Sequence, residues 1–253
     1  MIGVGFLGLI TRDFAPIWQP VPKGLPARAV LIWLCALVSL ATGLGLLLKR
    51  TAAPAARLLL AWLLLWLLLF KVPVIFRSPA VEVVYESWGE TAVLVAGAWV
   101  LYAWFAADWD RRHLSFATGD SGVRIARVLY GLSLIAFGLS HIAYPKETAS
   151  LVPVWLPAHM AWVYFTGCAY LAAGVSVLTG VFARLAAALS TFQMGVFTLL
   201  VWVPALAAGP NASQWSEFVI SWALMAGGWV VADSYRATPH AQGVRTVRVA
   251  RST

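Results

Sequence analysis

The stretch Gly131–Gly167, GLSLIAFGLSHIAYPKETASLVPVWLPAHMAWVYFTG, decides how this chain is read. It holds an apolar helix with a histidine near its end, a proline-studded connection, and the start of a second apolar helix. Two long apolar runs split by turn formers read as successive membrane spans. The class that follows is an all-α, multi-helix integral membrane protein.

Composition agrees across the whole chain. Apolar residues make up 61%, charged residues only 11%, and the mean hydropathy is +0.82, against about 25% charged in soluble proteins. The lipid bilayer is therefore the expected partner. At about 20 residues per span, the apolar runs of this chain allow eight spans at most. A net charge of +8 would suggest nucleic acid in a soluble protein. Here the basic residues lie in loops between apolar runs, where they orient helices, and nucleic acid is set aside. Cys35 and Cys168 each fall inside an apolar run without a CxxC spacing and read as buried thiols. The opening segment MIGVGFLGLITRD has no basic region ahead of its apolar run and no small-residue cleavage site, so it reads as retained.

Working outward, apolar runs fall at 2–18, 27–48, 55–76, 91–107, 123–143, 161–181, 185–205 and 218–232. The first is short, because Arg12 and Asp13 interrupt it. Either that helix is truncated or it carries a buried ion pair, and the two neighbours point to different faces, which disfavours pairing with each other. One set of connections holds twelve of the eighteen basic residues, from Lys49 and Arg50 through Arg111, Arg112, Arg124 and Arg127 to Arg251. The positive-inside rule makes that set cytoplasmic, with both termini inside a bacterial inner membrane. The loops at 13–26, 77–90, 144–160 and 206–217 then face outward. The tail from Ser234, with four arginines and no apolar period, reads as a disordered inner-surface segment over 234–253.

The two halves share punctuation in the same order. Pro16-Ile17-Trp18 answers Pro153-Val154-Trp155, Gly43 answers Gly174, and Pro73 answers Pro204. Trp88-Gly89-Glu90 answers Trp215-Ser216-Glu217, and Gly97-Ala98-Trp99 answers Gly227-Gly228-Trp229. Ordered matches of Trp and Pro, both rarer here than Leu, argue against chance. The expected organisation is a diverged four-helix repeat at 1–107, a cytoplasmic linker at 108–122 and a second four-helix repeat at 123–233. Four helices return the chain to its starting side, so the repeats are parallel, related by an axis along the membrane normal.

The second half, with GLSHIAYP, VPVWLP, WVYFTG and the following Gly174, resembles the DoxX-like family of four-helix bacterial membrane proteins. The first half looks like a diverged copy fused ahead of it, lacking the GLSH segment. The resemblance implies a membrane subunit in a redox system, with a quinone or a small sulfur compound as ligand, or a partner in a membrane-bound redox-protective complex.

Ionisable groups at membrane depth are costly and mark candidate sites. His141 leads, because its ordinary pKa of about 6.5 suits proton transfer; the bland alternative is an interfacial histidine bonded to a loop carbonyl. His159 and Glu147 follow it in the next outer loop, at a spacing that matches no metal motif. Glu90 and Glu217 end the paired Trp-x-Glu motifs at helix starts, where a carboxylate is favoured by the helix dipole at about 0.3–1 kcal/mol. The dipole accounts for both; the functional alternative is that duplication places them symmetrically about the repeat axis, lining an outward cavity. Lys71 reads as snorkelling to the outer interface, and Trp18, Trp88, Trp155 and Trp215 as an interfacial belt. Gly131 with Gly138, and Gly167 with Gly174, suit close helix packing. No haem, metal or nucleotide motif is present. Two function classes stay open: a quinone-linked or sulfur-compound redox subunit, and a non-enzymatic carrier of small solutes or assembly partner.

Overall fold

The computed structural model describes residues 1–209 and 211–236, all of them helix, turn or irregular chain with no strand. The helices are α1 (Ile2–Thr11), α2 (Arg28–Gly45), α3 (Ala52–Trp66), α4 (Val72–Arg77), α5 (Val83–Phe105), α6 (Asp108–His113) and α7 (Gly119–Ala143). They are followed by α8 (Pro145–Ser150), α9 (His159–Thr179), α10 (Ala183–Phe197), α11 (Val203–Ala207) and α12 (Ala212–Asp233). A π turn, Leu67–Lys71, joins α3 to α4 in one continuous helix, and another, Thr198–Trp202, joins α10 to α11. In each case a proline opens the next segment, Pro73 or Pro204. A proline removes one N–H and crowds the preceding turn, and the widened π turn absorbs that mismatch without ending the helix.

Among the described residues six helices are long and apolar enough to cross a membrane: Arg28–Gly45, Ala52–Arg77, Gly119–Ala143, His159–Thr179, Ala183–Ala207 and Ala212–Asp233. Leu185, Leu189 and Phe192, spaced along one face of α10, are exposed, as lipid contact requires and water would penalise. The 23-residue α5 is not one of the six; it carries Glu86 and Glu90 and runs through the interior, packed on α3, α7 and α12. Met1 lies beside Leu101, fifteen residues along α5 from Glu86, and Glu86 bonds Ser140 next to His141, so the molecule has a His141 end and an opposite end that holds Met1.

Small residues set the helix spacing. A Cβ on Gly138 would lie 2.8 Å from the Gly167 carbonyl oxygen, and one on Gly174 would lie 2.8 Å from that of Gly131, so α7 and α9 touch backbone to backbone. At the α5/α12 crossing, a Cβ on Gly97 would come within 2.9 Å of the Gly227 Cα. The sequence halves are interleaved as a result: Ile220 joins the core of the first half, and Val93, Ala96 and Val100 join that of the second.

The first apolar run does not continue to Trp18. Arg12 closes α1 in the left-handed region (φ 52°), and Asp13 pairs with Arg28 at 2.9 Å, so truncation is the outcome. At 1.5 Å per residue, the ten residues of α1 rise only about 15 Å. The chain then continues non-helically, with Phe14, Ala15, Ile17 and Trp18 buried. Irregular backbone survives at such depth only where protein satisfies it. The Trp66 indole donates to the Trp18 carbonyl (2.8 Å), the Thr91 hydroxyl to that of Ile17 (3.3 Å), and the Lys71 ammonium to that of Gln19. Lys71 is accordingly 1% exposed and does not snorkel. Trp18 belongs to this core and not to an interfacial belt.

At the Met1 end, the 108–122 connection contains α6 and the start of α7, and Arg57 reaches Asp110 at 3.4 Å. Ser234 and Tyr235, read from sequence as the start of a loose tail, are docked: Arg127 donates to Ser234 Oγ (3.0 Å) and lies over the Tyr235 ring at 3.8 Å. The rest of the expected tail, 237–253, lies outside the described residues.

Candidate functional site

The start of α5 supplies three carboxylates, Glu82, Glu86 and Glu90, at four-residue intervals. That spacing puts them on one stripe of the helix, because side chains at i and i+4 stack on the same face. Gly89, beside them, lets α7 come close: a Cβ there would meet the Phe137 ring at 3.2 Å and the Ala136 Cβ at 3.4 Å. The close approach brings Ser140 against Glu86, and its hydroxyl donates to Glu86 Oε2 at 2.7 Å.

His141 follows on the adjoining face of α7. Its Nδ1 lies 2.8 Å from the Phe137 carbonyl oxygen, which only an N–H can satisfy, so Nε2 carries the lone pair when the ring is neutral. The ring meets Tyr170 edge-on, centroids 5.6 Å apart. Gly167 makes room for it, since a Cβ at that position would lie 2.8 Å from the His141 Cβ. The hydrogen bond to a carbonyl one turn back and the contact with α9 hold the imidazole in one orientation.

Glu86 is the electrostatic centre. Its charge acts on Glu82 and Glu90 along α5, on His141 from α7 and on Glu217 from α12. Glu90 is further influenced by Lys71 and by Glu217. Both carboxylate oxygens of Glu82, at the mouth of this group, are buried without a hydrogen-bond partner. Burial first and the Glu86 charge second push the Glu82 carboxyl up to about 7. That places the Glu82 carboxyl where it exchanges a proton close to neutral pH.

Of the residues singled out from sequence, His141, Glu90 and Glu217 are brought together at one end. Glu147 is exposed on α8 and His159 opens α9; neither has a hydrogen bond or ion pair with that group. The sequence patterns single out neither Glu82, Glu86 nor Ser140, and they send Lys71 to the outer interface, whereas the fold buries it. The four-residue spacing of Glu82, Glu86 and Glu90, in a chain with only ten acidic residues, was the available signal. Among the described residues no group of three or more His, Cys, Asp or Glu is arranged to hold a metal ion.

Residues 130–232 match the model of a domain of unknown function, DUF8561. The match runs from within α7 through α12 and contains His141 and Glu217. No curated protein and no solved structure matches the chain.

Proposed function

We propose that this chain is a DoxX-like inner-membrane protein, built from two parallel four-helix repeats, whose outward carboxylate–histidine cluster exchanges protons with a quinone-type or sulfur-compound redox partner. The observation that carries the reading is the convergence of Glu82, Glu90, His141 and Glu217 on Glu86 at one end of the bundle. A membrane-borne redox ligand that gains or loses electrons also gains or loses protons, and the cluster supplies acceptors and donors at that depth. His141, whose Nδ1 is held by the Phe137 carbonyl so that Nε2 is left to face a ligand, suits the first contact, and Glu82 at the rim suits exchange of the proton.

Support for the repeat comes from matched irregularities. The π turns at Leu67–Lys71 and Thr198–Trp202 are 131 residues apart, and so are the left-handed N-cap residues Ala27 (φ 56°) and Ala158 (φ 58°). Support for the orientation remains the excess of basic residues in the loops at the Met1 end. Glu90 and Glu217, one on each of the two helices that cross at Gly97 and Gly227, favour a second reading as a passage for small cations between the repeats.

The experiment is purification in mild detergent with identification of co-purifying quinone, followed by quinone binding to Glu86→Gln and His141→Gln in nanodiscs at pH 5 to 8. Bound quinone whose affinity depends on pH in the unaltered protein, and not in Glu86→Gln, is the expected result. No quinone binding, together with cation flux in proteoliposomes, would select the second reading.

A further inference from the structure

On the face of α5 next to the carboxylates, a cavity of about 300 Å³ opens between the irregular segment after α1, the end of the α3–α4 helix and the start of α5. Its size is at the small end of the roughly 300–1,000 Å³ range of ligand sites. The polar part of the wall is Lys71, Gln19 and Ser87; Val74, Val83 and Val84 make apolar sides.

Lys71 is the unusual member. It is a buried ammonium to which the chain gives neutral acceptors: the Gln19 carbonyl and the Ser87 hydroxyl, the latter at 2.7 Å. Among the described residues no carboxylate lies within 4.0 Å of it, and Glu90 acts on it only from further away. An ammonium has three donors, and two are engaged within the chain. A cation at membrane depth is costly without a close anion, since neutral dipoles compensate it only in part.

We propose that this cavity binds the oxyanion head of a membrane amphiphile, a carboxylate oxygen accepting from Lys71 while the chain lies along Val74, Val83 and Val84. A free small carboxylate would offer the same head group, but the valine walls add affinity only for a ligand with a tail. Of the acidic stripe of α5, Glu86 is turned to α7, where Ser140 donates to it, and Glu90 acts on Lys71 from beyond 4.0 Å.

The test is native mass spectrometry of the protein in nanodiscs with dodecanoate, dodecanol and acetate as probes. Saturable binding of one dodecanoate is expected, with dodecanol and acetate at least tenfold weaker. Val84→Trp fills the cavity while leaving the Lys71 hydrogen bonds in place, and should weaken dodecanoate at least tenfold; Lys71→Gln should remove the preference for dodecanoate over dodecanol. Dodecanoate binding unchanged by Val84→Trp, dodecanol binding as tight as dodecanoate, or acetate binding as tight as dodecanoate would each overturn the proposal.

Discussion

Glu82 shows how a single carboxyl at the rim of the bundle couples protonation to stability. Its pKa is raised from 4.5 to about 7 in the folded protein, so the native state holds a proton that the unfolded chain releases. Stability from this group is therefore greatest at low pH and falls as pH rises from about 4.5 to about 7. Glu82→Gln, which keeps the shape and cannot ionise, should flatten that slope and raise the melting temperature above pH 7. Thermal unfolding in detergent at pH 4.5, 6 and 8 checks it; an unchanged slope in the variant would assign the pH dependence elsewhere. Lys71 gives the complementary lesson. A lone lysine late in an apolar run reads as snorkelling, and only the fold reveals the carbonyl of Gln19, 52 positions earlier, that draws it inward.

The helices divide into those that face lipid and those that mainly face one another. The class and approximate positions of the membrane helices follow from apolar runs bounded by Pro, Gly and Arg, which is why α2, α9 and α12 lie close to where the sequence places them. The glycine spacing of α7 and α9 was equally readable, because close approach needs Gly and nothing else. Less readable was the fate of the two matched motifs: Ile17 and Trp18 are buried, whereas Val154 and Trp155 are 95% and 70% exposed. The difference depends on what precedes them, a ten-residue α1 in one case and the 25-residue α7 with α8 in the other. The α5 carboxylate stripe was hidden because Glu82 and Glu86 lie ahead of the apolar run that begins at Thr91, in what reads as loop. At the α5/α12 crossing, Gly97→Ala would force a methyl to within 2.9 Å of the Gly227 backbone. A loss of about 1–3 kcal/mol is expected, as for overpacking elsewhere, read as a lower unfolding midpoint in detergent; an unchanged midpoint would mean that the two helices separate at little cost.

At the level of the whole molecule, the interleaving of the halves means that neither is a free-standing bundle. Val93 of α5 packs in the core of the second half, and Ile220 of α12 packs in that of the first. Expressing residues 1–117 and 118–253 as separate chains should give stable protein only when both are present, with detergent-stable recovery of either alone counting against it. Orientation is tested by single cysteines: a probe at Ser150 should be labelled from outside intact cells and one at Ser121 only after permeabilisation. The reverse pattern would invert the bundle and move the carboxylate cluster to the cytoplasmic side.

The irregular segment after α1 also dictates an order of assembly. The carbonyls of Ile17, Trp18 and Gln19 leave the ribosome early, yet their donors are Thr91, Trp66 and Lys71. Until α5 has entered the membrane, the first part of the chain has backbone that hydrocarbon cannot satisfy. The translocon must therefore hold α1 at its lateral opening, or leave it at the interface, while some seventy further residues are synthesised. An N-terminal region that has to wait for the helices up to α5 is the natural point at which quality-control proteases would detect a stalled or truncated chain.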